Sequence, residues 1–289
     1  MPLLPGRILL LPPLVLVLAG CTTPQPNKAR LLSPTQMSPD SVALEIFLIR
    51  LPPGEPGVNA RVWDEVDEQH FPAELRQRLA KNGFRVGIVG EQVPDVLAKL
   101  MELKDQPAPT GEPQRVTAKE MEATPRVALR HLQTRAGQRN EIITSGVYEH
   151  LPVLLAESGE LRGQTYCQAQ GMLALAVSPQ ADGRVQLDLV PELHHDQSRQ
   201  HWVGDQAMWR LETGRPKRSF DDMKITAVLM PGSMLLLGTQ PDRPGSLGHC
   251  FFAEECGRDN RWEQKMVLVR VCQTQHDDLV NPPPLALGP

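Results

Sequence analysis

Apolar residues at every second position dominate the second half of the chain, and that period commits it to β structure. Val185, Leu187 and Leu189 alternate with Arg184, Gln186 and Asp188. Successive side chains on a strand point to opposite sides, so such a segment has one buried face and one wet face. Asp182-Gly183 just before it is a two-residue turn signal. Leu173, Leu175 and Val177 alternate ahead of that turn, so the whole stretch reads as an antiparallel hairpin. Val127, Leu129 and His131 alternate too, and Glu141-Ile-Ile-Thr144 returns after a turn at 137–140. Lys224 to Met230, Met234 to Leu237 and Lys265 to Cys272 read as further strands.

The first hundred residues carry a different pattern. Ser41 to Arg50 is a continuous β-prone run ended by Pro52-Pro53-Gly54. Asn59 is placed to cap a helix bearing Val62, Trp63 and Val66. Pro72 opens a second helix that Gly83 stops, and Phe84 to Val89 is a second strand. From Gln92 to Leu103, Val93, Val96, Leu97, Leu100 and Met101 fall on one helical face. Such a helix is expected to pack on its own sheet. The order strand, helix, helix, strand, helix describes a small α/β module at 41–104. A Pro-rich linker follows at 105–125, then a β-rich module at 126–278 and an unstructured tail at 279–289. The fold class expected is α+β, a small α/β module followed by a larger antiparallel β-rich one.

Composition bounds the function. The formal net charge is −4, without a basic stripe, which speaks against a nucleic-acid partner. The 28 prolines favour loops and extended segments. Residues 1–20 combine a short basic start ending at Arg7, an apolar run from Ile8 to Ala19 and a small-residue cleavage site. That is an export signal, too short for a membrane span and interrupted by Pro12-Pro13. Residues 21–40 are rich in Pro and polar residues and read as a tether. Four cysteines besides Cys21 follow: Cys167, Cys250, Cys256 and Cys272. An even number beyond an export signal permits disulfides, in three pairings that the sequence leaves open, with buried free thiols as the alternative.

Leu18-Ala19-Gly20-Cys21 resembles the lipobox of bacterial lipoproteins at all four positions. The resemblance implies a diacylglycerol thioether on Cys21, acylation (such as palmitate) of the amine freed by cleavage, and attachment to a cell-envelope membrane facing the periplasm. Several acyl chains anchor stably, at about 0.8 kcal/mol per buried CH2. Thr22 stands where some lipoproteins carry an Asp that retains them in the inner membrane, so the outer membrane is preferred.

Residues 165–272 resemble part of the secretin core of type II and type III secretion channels. Leu173 to Glu192 has the form of its hairpin: a strand into Val-x-Pro, a turn ending at Gly, a Val-x-Leu strand and a Pro-Glu pair. Ile225 to Gly238 is similar to the segment in which a strand reaches a Gly turn and an apolar run. Leu247 to Phe252 and Lys265 to Val271 are similar to later blocks of the same core. The resemblance implies a β-rich module that joins copies of itself or other envelope proteins into a protein-secretion complex. The chain departs from the family in having room for about one small α/β domain, a short 149–165 segment and no aromatic-girdled pair of lipid-facing strands.

No cofactor is expected, and the reading is non-catalytic. The nearest approach to an active site is His194-His195-Asp196 with His201 and His249, which a metal-dependent hydrolase would use. The spacing fits no helical zinc motif, and adjacent strand residues such as His194 and His195 face opposite ways. A solvated loop is the expectation there. Ser233 lies outside any Gly-x-Ser-x-Gly elbow, and Gly245 to Gly248 lacks the Lys of a phosphate loop. Trp202 and Trp209 flank a polar stretch that a monomeric glycan- or peptide-binding module would use as a platform, packing being the alternative.

Overall fold

The computed structural model describes residues 38, 40–51, 56–102, 127–157, 159–205, 208–256 and 261–276, with backbone alone at 56, 201–212, 256 and 261. The signal segment, Cys21 and nearly all of the tether, the 105–125 linker and the tail lie outside these residues.

Two six-stranded antiparallel sheets form the body. The first contains β1 (Ser41–Arg50), β2 (Phe84–Val89), β3 (Val127–Arg135), β12 (Met234–Thr239), β13 (Ala253–Cys256) and β14 (Arg261–Gln275). Its order is β2-β12-β14-β1-β3, with β13 on the start of β14. The second contains β4 (Asn140–Ile143), β5 (Tyr148–Glu157), β6 (Glu160–Pro179), β7 (Val185–His194), β10 (Lys217–Ser219) and β11 (Ile225–Leu229). Its order is β10-β7-β6-β4, with β11 also on β7 and β5 on β6. A ribbon of β8 (Arg199–Asp205) and β9 (Met208–Gly214) is paired only with itself. The chain is therefore a β-rich α+β protein.

The middle strands of the first sheet are apolar at consecutive positions because both of their faces are covered. On β12, Met234 and Leu236 face one core while Leu235 and Leu237 face another. On β14, Met266 and Leu268 divide from Val267, Val269 and Val271 in the same way. On β1, Val42, Leu44 and Ile46 separate from Phe47 and Ile49. One face is covered by α1 (Pro56–Asp64), through Val58, Val62 and Trp63, and by α3 (Asp95–Glu102), through Leu97 and Leu100. The amphipathic helix thus packs on its own sheet, as its pattern requires. The other face meets the second sheet, whose Leu173, Leu175, Val177, Val185, Leu187, Leu189, Ile225 and Leu229 are all buried. Burying each such side chain contributes about 1.5–3 kcal/mol, which makes this shared core the main source of stability. Helices, first sheet and second sheet form three layers.

α2 (Ala73–Lys81) follows Pro72 and ends at Gly83, whose φ of 80° suits glycine. It closes onto β2 by burying Leu79. A short α4 (Leu247–Phe252) starts at Ser246, whose hydroxyl accepts the His249 N–H. It drives Phe251 and Phe252 edge-on against Phe84, with ring centroids 5.3 and 6.1 Å away.

Several expectations are corrected. Segment 41–104 is not a module of its own: β1 and β2 do not pair with each other, and β12 and β14 lie between them. The period-two pattern says which faces are buried but not which strand comes alongside. Asn59 is inside α1, not at its start, and its amide donates to Gln264 Oε1 at 2.5 Å. Segment 149–165, read as short, belongs to a long hairpin arm in which β5 pairs with β6 from Tyr148↔Ala169 to Glu157↔Glu160. At Gln168 (φ 49°) β6 passes from pairing with β5 to pairing with β4 and β7. The block Ile225 to Gly238 does not stay in one sheet. β11 joins β7, the chain turns at Gly232, and β12 enters the other sheet.

Candidate functional site

The most concentrated polar chemistry lies on the outer face of the second sheet, at the end of β7. Its inward residues are Leu187, Leu189 and Leu193, so Asp188, Glu192 and His194 project outward by strand alternation. Glu141 on β4 is opposite Ala174, and Glu192 is opposite Met172 on the intervening β6. The shared face therefore brings Glu141, Glu192 and His194 together. Their nearest ligand atoms lie within 4.8 Å of one another.

Glu192 is the centre of this group. Its side chain is only 5% exposed, and its Oε2 receives three groups: Arg139 Nη2, His194 Nε2 at 3.1 Å and Lys217 Nζ at 3.7 Å. Arg139 also donates through Nη1 to Glu141 Oε1 at 2.8 Å. A carboxylate removed from water needs such partners, because an unpaired buried charge is strongly unfavourable. Residues 199–200 and 213–217 rise over this face and enclose a cavity of about 610 Å³. Glu141, Glu192 and His194 are the described residues that could hold a divalent ion. Arg139 nevertheless bonds both carboxylates, so a cation would have to displace a guanidinium.

Of the five residues considered for a metal site, the four with described side chains, His194, His195, Asp196 and His249, are not brought together around one point. His194 is not in a solvated loop; it ends β7, pairs in register with Gln170 and Lys217, and is buried. His195 turns away, with Nδ1 2.9 Å from Asp196 Oδ2 and its ring 5.2 Å from that of Tyr166. His249 is on α4, 4.6 Å from the Trp262 ring, and burial lowers its pKa so that the neutral imidazole is favoured. The backbone of His201 is in β8, and its side chain lies outside the described residues, as do those of Trp202 and Trp209. Arg139, Glu141 and Glu192 escaped the sequence reading. The available signal was strand parity, which puts Glu192 and His194 on the wet face.

Cys167, Cys250 and Cys272 are free thiols, so no disulfide joins any two of them; the Cys256 side chain lies outside the described residues. The three sit on different elements, and Cys250 faces the core that α4 fills. Burial pushes the Cys250 thiol up to about 12. Burial, with the Glu45 charge nearby, also raises that of Cys272. Cys167 is exposed, its Sγ 3.7 Å from Nδ1 of the cross-strand His150. Comparison with protein families, curated proteins and solved structures finds no match for this chain.

Proposed function

We propose that the protein is a non-catalytic component of a bacterial cell-envelope assembly, held to the membrane by lipid on Cys21 and joined to neighbours through an open sheet edge. The observation that carries this reading is the β5–β6 arm. Residues Glu160 to Gln164 pair with β5 on one side, and among the described residues no strand lies along their other side. Leu154 and Leu161 stand on one outward face of the arm, 46% and 67% exposed. Unpaired N–H and C=O groups beside exposed leucines form a template for another strand. The edge of β5 is covered, by contrast, because Leu154 N–H donates to Gly245 O at 2.9 Å. The secretin-like hairpin of β6 and β7 supports a protein-secretion complex as the kind of assembly, and a tether on Cys21 would raise the local concentration of copies.

Two measurements test this. Cys21→Ser should move the protein from the membrane to the soluble fraction; equally firm retention would remove the anchor. Leu161→Lys places a charge at an exposed site, so the fold should stay intact. Light scattering of the detergent-solubilised protein should show multimers for the wild type and mainly monomers for this variant. A wild-type monomer under all conditions, or multimers indifferent to the charge, would overturn edge pairing.

A further inference from the structure

Resting on the edge-pairing reading above, we propose that the free edge of β6 takes one specific partner: the same edge of a second copy of this chain, antiparallel about a two-fold axis at Leu161. The bonds made by β5 fix which backbone groups of β6 are available. Leu154 N–H donates to Gly245 O at 2.9 Å, Ala156 N–H donates to Asn82 Oδ1 at 2.9 Å, and Asn82 Nδ2 donates to Ala156 O at 3.1 Å. These groups of β5 point away from β6. Opposite residues of an antiparallel pair either exchange both bonds or both point away from each other. Gly163 is opposite Leu154 and Leu161 is opposite Ala156, so their N–H and C=O groups point out of the hairpin on its free side. Cys167, of the same parity, shows the direction: its O accepts the Asp196 N–H at 2.7 Å. Every residue from Glu160 to Thr165 is exposed.

The side chains of this edge complement themselves. Leu161 and Gly163 share one face with Leu154 and Ala156, while Glu160, Arg162 and Gln164 occupy the other. About an axis at Leu161, the two copies of Leu161 exchange both backbone bonds and set their exposed side chains next to each other, with Leu154 of each copy alongside. Glu160 of each copy then stands opposite Arg162 of the other, in the closer non-hydrogen-bonded spacing of about 4.5 Å between Cα atoms. Opposite charges placed there attract, and like charges repel. Within one copy Glu160 and Arg162 form an ion pair at 2.8 Å with both side chains more than two-thirds exposed. Such a pair contributes little, so exchanging partners costs little. The neighbouring registers fit worse. An axis at Arg162 opposes two guanidinium groups, and an axis at Gly163 sets Arg162 against Gln164, whose Oε1 already accepts from Arg218 at 2.6 Å. A two-fold pairing uses the same patch on both copies, so the assembly closes at a dimer.

The experiment is sedimentation equilibrium of the full-length protein in detergent at low ionic strength. Wild type should dimerise. Glu160→Arg opposes cations and Arg162→Glu opposes anions across the axis, so each should weaken dimerisation about tenfold. An equimolar mixture of the two variants, like the double variant Glu160→Arg/Arg162→Glu, again sets opposite charges against each other and should dimerise as the wild type does. All these sites are exposed, and Arg184→Glu, at another exposed pair, should leave dimerisation unchanged. Dimers that Leu161→Lys disperses but charge reversal does not weaken, or reversal without rescue in the mixture, would overturn self-pairing and leave edge pairing with another partner standing. Assemblies larger than a dimer that Leu161→Lys disperses would do the same. A wild-type monomer at every concentration would overturn both.

Discussion

Replacing Gly248 by Ala tests the joint on which the two halves of the chain meet. A Cβ at Gly248 would lie 2.3 Å from both C and O of Gly83 and 2.7 Å from N of Phe84. Carbon contacts are comfortable at about 3.5–4.0 Å, so the two backbones must separate by more than about 1 Å. Both are pinned. Gly248 N–H donates to Asn82 O at 2.8 Å, and Gly83 O accepts from Gln240 N and Thr239 Oγ1, each at 3.0 Å. Losing two such bonds at about 0.5–1.5 kcal/mol each, and leaving a buried group unsatisfied at about 1–3 kcal/mol, gives a destabilisation of roughly 2–6 kcal/mol. Urea unfolding reads this directly. With a slope of about 2 kcal/mol/M, the midpoint should fall by roughly 2 M. Gly57→Ala is the matched control: nothing lies within 4 Å of its added Cβ, and the site is helical. It should stabilise by about 0.4–1 kcal/mol through the unfolded chain. A loss below about 1 kcal/mol for Gly248→Ala, at an unchanged slope, would refute the close approach of α4 to the α2–β2 turn.

Further predictions concern the core and the titratable groups it buries. Leu235→Ala and Leu236→Ala should each cost about 2–5 kcal/mol in urea unfolding, because these neighbours face different cores; near-neutrality of either would contradict a sheet covered on both sides. Stability should fall at alkaline pH. Burial raises the Cys250 thiol from 9.0 to about 12 and the Tyr148 hydroxyl above its ordinary range. The unfolded chain therefore ionises first, so the stabilisation is complete below the unfolded thiol value and is lost as pH climbs towards the folded one. The slope is roughly 1 kcal/mol per pH unit for each group. Cys250→Ala should make the fall between pH 9 and 10 shallower, the remainder coming from Cys272 and, towards pH 10, from Tyr148, and a wild-type profile already flat there would refute the burial argument.

The patterns that succeeded in the sequence were those with short-range causes. β2 begins at Phe84 and ends at Val89 as its pattern requires, because Gly83 and the preceding helix bound it locally. α2 runs from after Pro72 to Lys81 for the same kind of reason. The β6–β7 hairpin follows from Asp182-Gly183 and two alternating flanks. The polar cluster was only half legible. Parity put Glu192 and His194 on one face, but Arg139 and Glu141 reach them across β6, and no local spacing encodes a neighbour two strands away. The β8–β9 ribbon went unread because its sequence is mostly polar; the β5–β6 arm went unread although Leu151, Val153 and Leu155 alternate on a buried face, because Pro152 interrupts that run and its partner strand is mostly polar from Glu160 to Thr165.

Read by itself, the amino-acid sequence determined where β1, β2, β7, β12 and the helices α2 and α3 run and which side of each avoids water, since those choices rest on side chains one to four positions apart. It also placed His194 and His195 on opposite sides of the backbone. Only the tertiary structure decided that β12 and β14 insert between β1 and β2, and that Arg139, Glu141 and Lys217 converge on Glu192. Many partners satisfy a strand's exposed N–H and C=O groups equally well; the one selected depends on how all the apolar faces are covered at once, which is a property of the whole packed chain.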